Sequence, residues 1–264
     1  MKIWANTIVN NEENFIWFAL MSVVDYVDKI LIYDTGSTDR TVEIIKEIKK
    51  ITGEKIEFKE VDAVNEEQFT KVRQEMLSRS KCDWIIILDG DEIWWRDSIK
   101  KLKDTIESKG QDIDGVVVPM KVSVGDIYHI QEEIAGRYHL FGKKGHLSLK
   151  AINKNIPGLH VGLPYGKEGF FDDRKNLIQE RKDIFYLDAP FLHLTHLKRS
   201  SKRRRFNKFK YEIGDNVSEH FRFPEVLYKK YPSIVRTPWI KLTGWALLKA
   251  RILTPLRKVK RRLI

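Results

Sequence analysis

A run of apolar residues that stops at a group of acids constrains this chain most. Residues 84–88 are Trp-Ile-Ile-Ile-Leu, and Asp89, Gly90, Asp91 and Glu92 follow directly. Apolar runs of this length, rich in β-branched residues, are typical of strands buried on both faces, which belong to parallel sheets covered by helices. The acids therefore follow the carboxyl end of a strand, where open α/β sheets bind ligands.

So much negative charge at one strand end is costly unless a positive partner neutralises it. Carboxylate oxygens are the ligands that divalent cations such as Mg²⁺ prefer. We interpret Asp89 and Asp91 as a site for a metal ion and a diphosphate. The alternative is a solvated acidic turn, which is the usual role of an isolated Asp-Gly-Asp, but the buried strand before it favours a site.

Strands and helices alternate through the first 95 residues, which is the pattern of a parallel, doubly wound α/β sheet. Apolar runs predict strands over 2–9, 29–33 and 55–61, and helical spacing predicts helices over 15–24, 42–49 and 69–80. After Trp95 the pattern loosens. There we predict a helix over 98–109, a strand over 115–120, a last strand or a short buried segment over 191–197, and a basic helical run over 198–210.

The net charge of +11 is concentrated at the end of the chain. The last acidic residue is Glu225, and residues 226–264 contain eleven of the 48 Lys and Arg, so residues 1–225 are neutral. We therefore predict a domain over 1–225, with halves at 1–95 and 96–225, and a basic tail over 226–264.

Composition excludes several classes of protein. The single cysteine, Cys82, rules out an internal disulfide and a cysteine-built zinc site, and its place before the buried strand predicts an inert core thiol. There is no signal-peptide core and no apolar stretch long enough to span a membrane, so we expect a cytoplasmic protein.

The tail combines apolar and basic residues at helical spacing. Between Trp239 and Leu253 the apolar residues recur every three or four positions, with only basic charges between them. This composition favours an anionic membrane surface. The alternative is a helix packed on the domain or on a second subunit and ended by Pro255. Nucleic acid is not expected, because the stripe is too apolar and the body has no nucleic-acid-binding motif.

Four motifs in order resemble the GT-A glycosyltransferases of family two. They are Ile-Val-Asn-Asn-Glu-Glu at 8–13, Asp-Thr-Gly-Ser-Thr-Asp-Arg-Thr at 34–41, Arg-Gln at 73–74, and the acidic strand end at 89–92. A weaker likeness, including Arg-Tyr-His-Leu-Phe at 137–141, extends to about residue 200 and points to enzymes that glycosylate lipopolysaccharide cores and similar glycans. The resemblance implies a GT-A fold, with a mixed, mainly parallel sheet flanked by helices.

By this resemblance the donor is a nucleotide-diphosphate sugar, and the residues expected to contact it are Thr7, Asn10, Glu12, Glu13, Asp34, Arg73 and Asp89. Asp34 would accept hydrogen bonds from the base or the ribose, and Arg73 would contact the diphosphate. Glu12 and Glu13 have an alternative role, because acids stabilise the amino end of a helix. An isolated helical Arg such as Arg73 is more often a solvated surface residue.

The resemblance also implies the cofactor, Mn²⁺ or Mg²⁺. Asp91 would bind the cation directly, Asp89 would contact the ribose or metal-bound water, and His193 would complete the metal shell. A lone histidine in an apolar segment is otherwise usually a core residue. The basic residues at 198–205 would cover donor phosphates or an anionic acceptor, or would form a solvated helix face.

The catalytic base is the point where the chain departs from its relatives. Such enzymes invert configuration, and a carboxylate removes the proton of the acceptor hydroxyl. Relatives often have a glutamate directly after the histidine that aligns with His160, but here Val161 follows. We expect Glu168 to be the substitute, with Asp172 and then Asp173 as the next candidates.

The sequence thus predicts a metal-dependent, inverting glycosyltransferase, peripheral at the cytoplasmic face of a membrane, that acts on a lipid-linked or cell-surface glycan. One alternative is a haloacid-dehalogenase-like phosphatase, because those enzymes also place Asp-x-Asp after an apolar strand. Their motif lies near the amino terminus and continues with Thr or Val, whereas Ile93 stands here. The other alternative is a GT-A-like membrane-associated binding module that has lost its base.

Overall fold

The computed structural model describes residues 1–140, 142–202 and 210–263. The alternation predicted for the first 95 residues is confirmed. The elements are β1 (Ile3–Val9), α1 (Ile16–Val23), β2 (Lys29–Asp34), α2 (Thr41–Thr52), β3 (Ile56–Glu60), α3 (Glu66–Arg79) and β4 (Trp84–Ile87).

These first strands form a parallel sheet in which β1 lies between β2 and β4. Val9 of β1 pairs with Asp34 of β2, and Asn6 of β1 pairs with Ile87 of β4. Because the three strands run in the same direction, their polar ends meet at one edge. The acids after β4 therefore lie beside the loops that follow β1 and β2.

The second half of the chain adds short strands and one long helix. They are β5 (Glu92–Trp94), α4 (Arg96–Lys109), β6 (Gly115–Val122), β7 (His129–Ile130), β8 (Tyr138–Leu140), β9 (Lys143–Gly145), β10 (Leu147–Asn153), β11 (His160–Gly162), β12 (Gly169–Phe171), β13 (Ile184–Tyr186), β14 (Phe191–His193) and β15 (Asp215–Asn216). Single 3₁₀ turns lie at Gly53–Lys55, Glu133–Ala135, Ile178–Glu180 and Glu225–Tyr228.

Antiparallel pairing joins the two halves. Among the described residues the main sheet has nine strands in the order β3-β2-β1-β4-β10-β6-β14-β5, with β13 also paired to β6. Strand β10 is antiparallel to both β4 and β6, and β14 is antiparallel to β5. The sheet is thus mixed, as predicted, and His193 of β14 pairs with Glu92 of β5.

Strand β4 is buried on both faces, as its composition predicts. Ile86 packs in the main core with Trp94 and Phe191, whose rings stack with centroids 5.2 Å apart. Ile85 points to the opposite face and packs with Leu77 of α3. Burial on two faces leaves the strand end as the place where its polar residues meet a ligand.

Cys82 precedes β4 and is half buried. Burial raises the pKa of its thiol to about 11, so the thiol stays protonated at neutral pH. This agrees with the expectation of an inert cysteine.

The segment after residue 225 packs on the body before the final helix begins. Val226, Leu227 and Val235 are buried in the same core as α1 and β5. The division at residue 225 stays a prediction, but packing is continuous across it. Helix α5 (Gly244–Arg262) then runs through Pro255, so the expectation that this proline ends the helix is wrong.

The predicted basic helix over 198–210 is also wrong in its described part, because residues 198–202 are irregular and residues 203–209 lie outside the description. Their place directly after β14 and its turn explains this, since segment 198–201 is bonded to loops of the first half instead of to itself. Within the described ranges no helix is long and apolar enough to cross a membrane.

Candidate active site

A cleft of about 540 Å³ opens at the carboxyl edge of the parallel strands, a size that suits a small organic ligand. Both halves of the chain contribute to its walls. The first half supplies the loops after β1, β2 and β4, and the second half supplies residues of β10, β14 and the 165–168 loop. The predicted site residues that line it are Asn10, Glu12, Arg73, Asp89, Asp91, Glu168 and His193.

Three side chains at the floor of this cleft can hold a metal ion. One carboxylate oxygen each of Asp89 and Asp91 and a ring nitrogen of His193 lie within 4.8 Å of one another. Nε2 of His193 is 3.5 Å from Oδ1 of Asp91. The pairing of β14 with β5, extended by a 2.9 Å hydrogen bond from the Leu194 N–H to the Asp91 carbonyl, brings the histidine there.

Glu92, the third acid of the strand end, is neutralised by Lys150 of β10. Nζ of Lys150 lies 2.6 Å from both carboxylate oxygens, and both side chains are buried. Burial raises the pKa of Glu92 against the attraction of Lys150. Oε2 of Glu92 also accepts from the Asp89 N–H at 3.1 Å, so this ion pair fixes the turn that presents Asp89.

Asp89 is held in its ionised form. Burial by itself raises the pKa of this carboxyl, but the positive charges of Lys150 and Arg73 outweigh it and lower the pKa. A carboxylate that is charged at neutral pH is the form that binds a cation. The negative charge of Asp89 therefore favours the binding of a cation at the floor of the cleft.

Arg199 is the second buried cation of the cleft. Its Nη1 lies 2.5 Å from Oδ2 of Asp91 and 3.1 Å from Oε1 of Glu12. Burial lowers the pKa of Arg199, but Asp91 and Glu12 raise it above its ordinary value. Burial raises the pKa of Glu12 well above its usual range, with the charge of Arg199 opposing and Asp91 adding to the rise.

Segment 198–201, which includes Arg199, is bonded to the loop after β1. The Asn14 N–H donates to the Arg199 carbonyl at 3.1 Å, and the Asn14 side chain donates to the Lys198 carbonyl at 2.8 Å. Oε1 of Glu13 accepts from the Ser201 N–H at 2.6 Å. Glu13 therefore lies outside the cleft wall and holds this segment, while its neighbour Glu12 faces the cleft.

Three of the residues expected to contact the donor keep a buried polar atom without a hydrogen-bond partner in the described part of the chain. The atoms are Oγ1 of Thr7, Oδ1 of Asp34 and Nε of Arg73. Oδ2 of Asp34 accepts from the N–H groups of Gly36 and Ser37, at 3.1 and 2.8 Å. Of the three residues only Arg73 lines the cleft, so a ligand there can supply the partner that its Nε lacks, whereas Thr7 and Asp34 are buried outside the lining.

Side-chain positions separate the three base candidates, of which Asp173 is exposed and lies outside the cleft lining. Glu168 is half buried, lines the cleft and accepts a hydrogen bond from the Gly166 N–H. Asp172 lies outside the lining, and its oxygens accept from the N–H groups of Arg174 and Asn176 and from the Arg181 side chain. His160 is also outside, with its ring against Phe171. Asp172 therefore holds a turn and has no place at the cleft.

The donor set fits Mn²⁺ or Mg²⁺. Two carboxylates from one strand end and one imidazole, on elements fixed by strand pairing, match the oxygen preference of both ions, and the imidazole nitrogen suits Mn²⁺ as well.

The model of the family described as Glycosyl transferase family 2 matches residues 7–172. The chain belongs to this family. The match favours the transferase over the phosphatase alternative, and it confirms the family that the sequence motifs indicate.

The chain is also similar to a curated protein and to solved structures. A TPR repeat-containing protein of Synechococcus elongatus is 34% identical over 85 residues, which are 32% of this chain and 19% of that protein. A TarS fragment of S. aureus, in complex with UDP-GlcNAc, superposes with a TM-score of 0.51 at 14% identity, over 79% of this chain and 60% of the fragment. Glucosyl-3-phosphoglycerate synthase of Mycobacterium tuberculosis gives a TM-score of 0.44 at 19% identity, over 73% and 71% of the two chains.

The TarS likeness agrees with the GT-A-like fold, whose predicted class is confirmed. The chain spans about a fifth of the curated relative and 60% of the TarS fragment, which is less than two thirds of either.

Two functional residues escaped sequence reasoning. Lys150 is the single charged residue of the strand Leu-Ser-Leu-Lys-Ala-Ile-Asn, and an isolated charge among apolar residues is the only sequence signal for its burial. Arg199 was grouped with its basic neighbours, although it is buried and Lys198 is exposed. Tyr138 of segment 137–141 also lines the cleft and is half exposed, and the sequence predicts no role for it.

Asp172→Asn tests the structural role of that carboxylate. Burial raises its pKa from 3.8, but the hydrogen bonds from Asn176 and Arg181 outweigh burial and lower the pKa to about 2. A lowered pKa means that the ionised group stabilises the fold above 3.8 and loses this effect as the pH falls toward 2. We expect the variant to have a lower urea midpoint than wild type at neutral pH, with the difference shrinking between about pH 5 and pH 2.

Asp173→Asn is the matched control, because Asp173 is the exposed neighbour and should leave the midpoint unchanged. A difference between wild type and Asp172→Asn that stays constant over this pH range contradicts the structural role.

Proposed function

We propose that this chain is a metal-dependent, inverting glycosyltransferase that uses a nucleotide-diphosphate sugar. The observation that supports this most is the joint placement of Asp89, Asp91 and His193 at the floor of a cleft in a family 2 fold. The complex of the TarS fragment with UDP-GlcNAc makes a uridine nucleotide the first donor to test.

The donor would lie across the first half of the cleft. Asn10 follows β1 and lines the cleft, and Asp34 is the last residue of β2. Their side-chain oxygens would accept hydrogen bonds from the hydroxyl and N–H groups of the nucleoside. Arg73 would contact the diphosphate, because it lines the cleft with Asp89 and its Nε has no hydrogen-bond partner among the described residues. Its guanidinium stacks over the ring of Phe69 at 5.1 Å, which fixes its direction.

Asp89, Asp91 and His193 would hold Mn²⁺ or Mg²⁺. When bound, the ion supplies positive charge that stabilises the negative charge of the departing nucleoside diphosphate. Asp89 is suited to hold it because the turn that Glu92 and Lys150 stabilise fixes its place, and Asp91 would offer Oδ1, the oxygen that faces His193.

Glu168 is the proposed base. Its carboxylate would take the proton of the acceptor hydroxyl while that oxygen bonds to the anomeric carbon and the bond from this carbon to the diphosphate oxygen breaks. Attack opposite to the leaving group inverts the configuration. The shared lining of the cleft by Glu168, Asp89 and Tyr138 supports this role.

We place the acceptor, a lipid-linked or cell-surface glycan, at a membrane because of helix α5. Five large apolar side chains on α5 and Leu263 after it are exposed and recur every three or four residues, so they share one face. This apolar stripe consists of Trp245, Leu248, Ile252, Leu256, Val259 and Leu263. Trp245 is 76% exposed and Leu256 is 65% exposed.

Basic residues border the apolar stripe. Lys249 and Lys260 lie on one side of it by helical spacing, and Arg251 and Arg262 lie on the other. The opposite face of α5 is held on the body, where Ala250 is fully buried and Arg261 lies 2.6 Å from Glu212. A fixed helix with an outward apolar face and basic borders suits the surface of an anionic membrane.

Asp91→Asn tests the metal-dependent donor site. We expect wild type to bind one nucleoside diphosphate, first of all UDP, in the presence of Mn²⁺. The variant should lose the Mn²⁺-dependent affinity by more than the roughly 10–100-fold that loss of an outer-shell partner costs. Calorimetry with a panel of nucleoside diphosphates, with and without Mn²⁺, measures this.

The control for this panel is Asp112→Asn, at an exposed position away from the cleft, which should bind like wild type. Absence of nucleotide binding by wild type under every condition rejects the transferase.

Glu168→Gln tests the base. The variant should bind donor and Mn²⁺ like wild type but release the nucleoside diphosphate roughly 10²–10⁴-fold more slowly. The assay follows hydrolysis of the donor that the binding panel selects, with water as the acceptor. Asp173→Asn is the control for a nearby carboxylate, and retention of more than about a tenth of the rate by Glu168→Gln rules this residue out.

The double substitution Ile252→Ser and Leu256→Ser tests the membrane surface. Wild type should float with vesicles that contain phosphatidylserine and should float poorly with pure phosphatidylcholine. The double variant should lose flotation, because it removes apolar contact area from the middle of the apolar stripe.

Ile51→Ser, which changes an exposed isoleucine on α2, is the control and should float like wild type. Flotation of the double variant equal to wild type rejects this surface. A variant is preferable to a truncation at residue 225, because Val226, Leu227 and Val235 are part of the core.

A further inference from the structure

The two carboxylate oxygens of Asp91 face different partners, Arg199 and His193. Oδ2 lies 2.5 Å from Nη1 of Arg199, and Oδ1 lies 3.5 Å from Nε2 of His193. Asp91 is the residue expected to bind the cation directly. The guanidinium therefore touches the metal ligand on the side away from the histidine.

Arg199 is fixed in this place by the backbone of its own segment. The Asn14 N–H and side chain donate to the carbonyls of Arg199 and Lys198, and Glu13 accepts from the Ser201 N–H. The arginine side chain is 8% exposed and also contacts Glu12. Its position is thus built by several contacts and does not depend on one ion pair.

The charges at the cleft floor show what this contact does. The buried acids are Glu12, Asp91 and Glu92, with Asp89 beside them at the cleft. Lys150 contacts both carboxylate oxygens of Glu92, so the charge of Glu92 balances that of Lys150. Arg199 serves the pair of Glu12 and Asp91, and its fixed positive charge stands against any cation that approaches Asp91.

We propose that Arg199 determines the affinity of this centre for a divalent cation. Its charge satisfies Asp91 when the cleft holds no ligand, so the centre binds a lone cation weakly. Firm binding then requires a nucleoside diphosphate in the same cleft, because the negative diphosphate offsets the charge of Arg199. This inference rests on the proposed function. It adds that the centre binds the cation firmly only together with the donor.

The experiment measures Mn²⁺ affinity by electron paramagnetic resonance of free Mn²⁺, with and without UDP or the nucleoside diphosphate that the panel selects. Wild type should bind Mn²⁺ alone weakly and at least tenfold more tightly with the nucleotide. Arg199→Gln should bind Mn²⁺ alone at least tenfold more tightly than wild type, and the nucleotide should increase its affinity by a smaller factor.

Two variants control for charge and for position. Lys198→Gln removes the same charge from the exposed neighbour in the same segment and should match wild type. Arg199→Lys keeps the charge and should keep Mn²⁺ affinity within a few-fold of wild type.

The outcomes separate this inference from the proposed function. Equal or weaker binding of Mn²⁺ alone by Arg199→Gln, with nucleotide binding intact, overturns the role of Arg199 and leaves the transferase standing. If Arg199→Gln does not fold, tight binding of Mn²⁺ alone by wild type, no weaker than with nucleotide, overturns it equally. Failure of wild type to bind any nucleotide rejects the proposed function itself.

Discussion

The concentration of buried acid at the carboxyl end of β4 is the constraint on which the rest of the structure depends. An unpaired buried carboxylate costs several kcal/mol, so each acid must gain a cation or a proton. Lys150 neutralises Glu92 and Arg199 neutralises Asp91, while Glu12 lies against Arg199 and burial raises its pKa well above its usual range. Both cations come from the second half of the chain, so the acids of the first half cannot be buried until that half is in place.

Strand pairing delivers these cations with the required accuracy. Strand β10 is antiparallel to β4 with Ala151 opposite Ile86, which places Lys150 next to the end of β4. Strand β14 pairs with β5 and continues into segment 198–201, so His193 and Arg199 reach Asp91 from one connected stretch. A slip of one residue would turn Lys150 of β10, or His193 of β14, to the other face of the sheet.

These long-range pairings separate what the sequence could predict from what it could not. Strand β4, the loops after β1 and β2 and the acids at their ends follow from local patterns, because apolar runs and turn residues lie next to one another in the chain. Lys150 lies 58 residues after Glu92 and Arg199 lies 108 residues after Asp91. No local periodicity records such a register. Asp172 was a candidate base for the same reason, since only the fold shows that a turn uses its oxygens.

In helix α5, too, the sequence does not show which basic residues face the body and which face solvent. The eleven basic residues after residue 225 look alike in sequence, but Arg257, Lys258 and Arg261 face the body and pair with Glu212, Asp215 and Glu132. Their charge holds the helix in place and is partly cancelled for a membrane. The four basic residues that border the apolar stripe are exposed, so in the proposed membrane contact they would supply the electrostatic attraction, at about 1 kcal/mol for each one near an anionic surface.

Pro255 fits this division of α5 into an inner and an outer face. The hydrogen bond that proline removes is the one to the carbonyl of Arg251, which lies on the exposed side of the helix. Water can satisfy a carbonyl there, whereas the buried side is held by Thr254, whose hydroxyl accepts from the Ile213 N–H at 2.9 Å. The helix therefore continues past the proline, because its tertiary contacts lie on the face that the proline leaves intact.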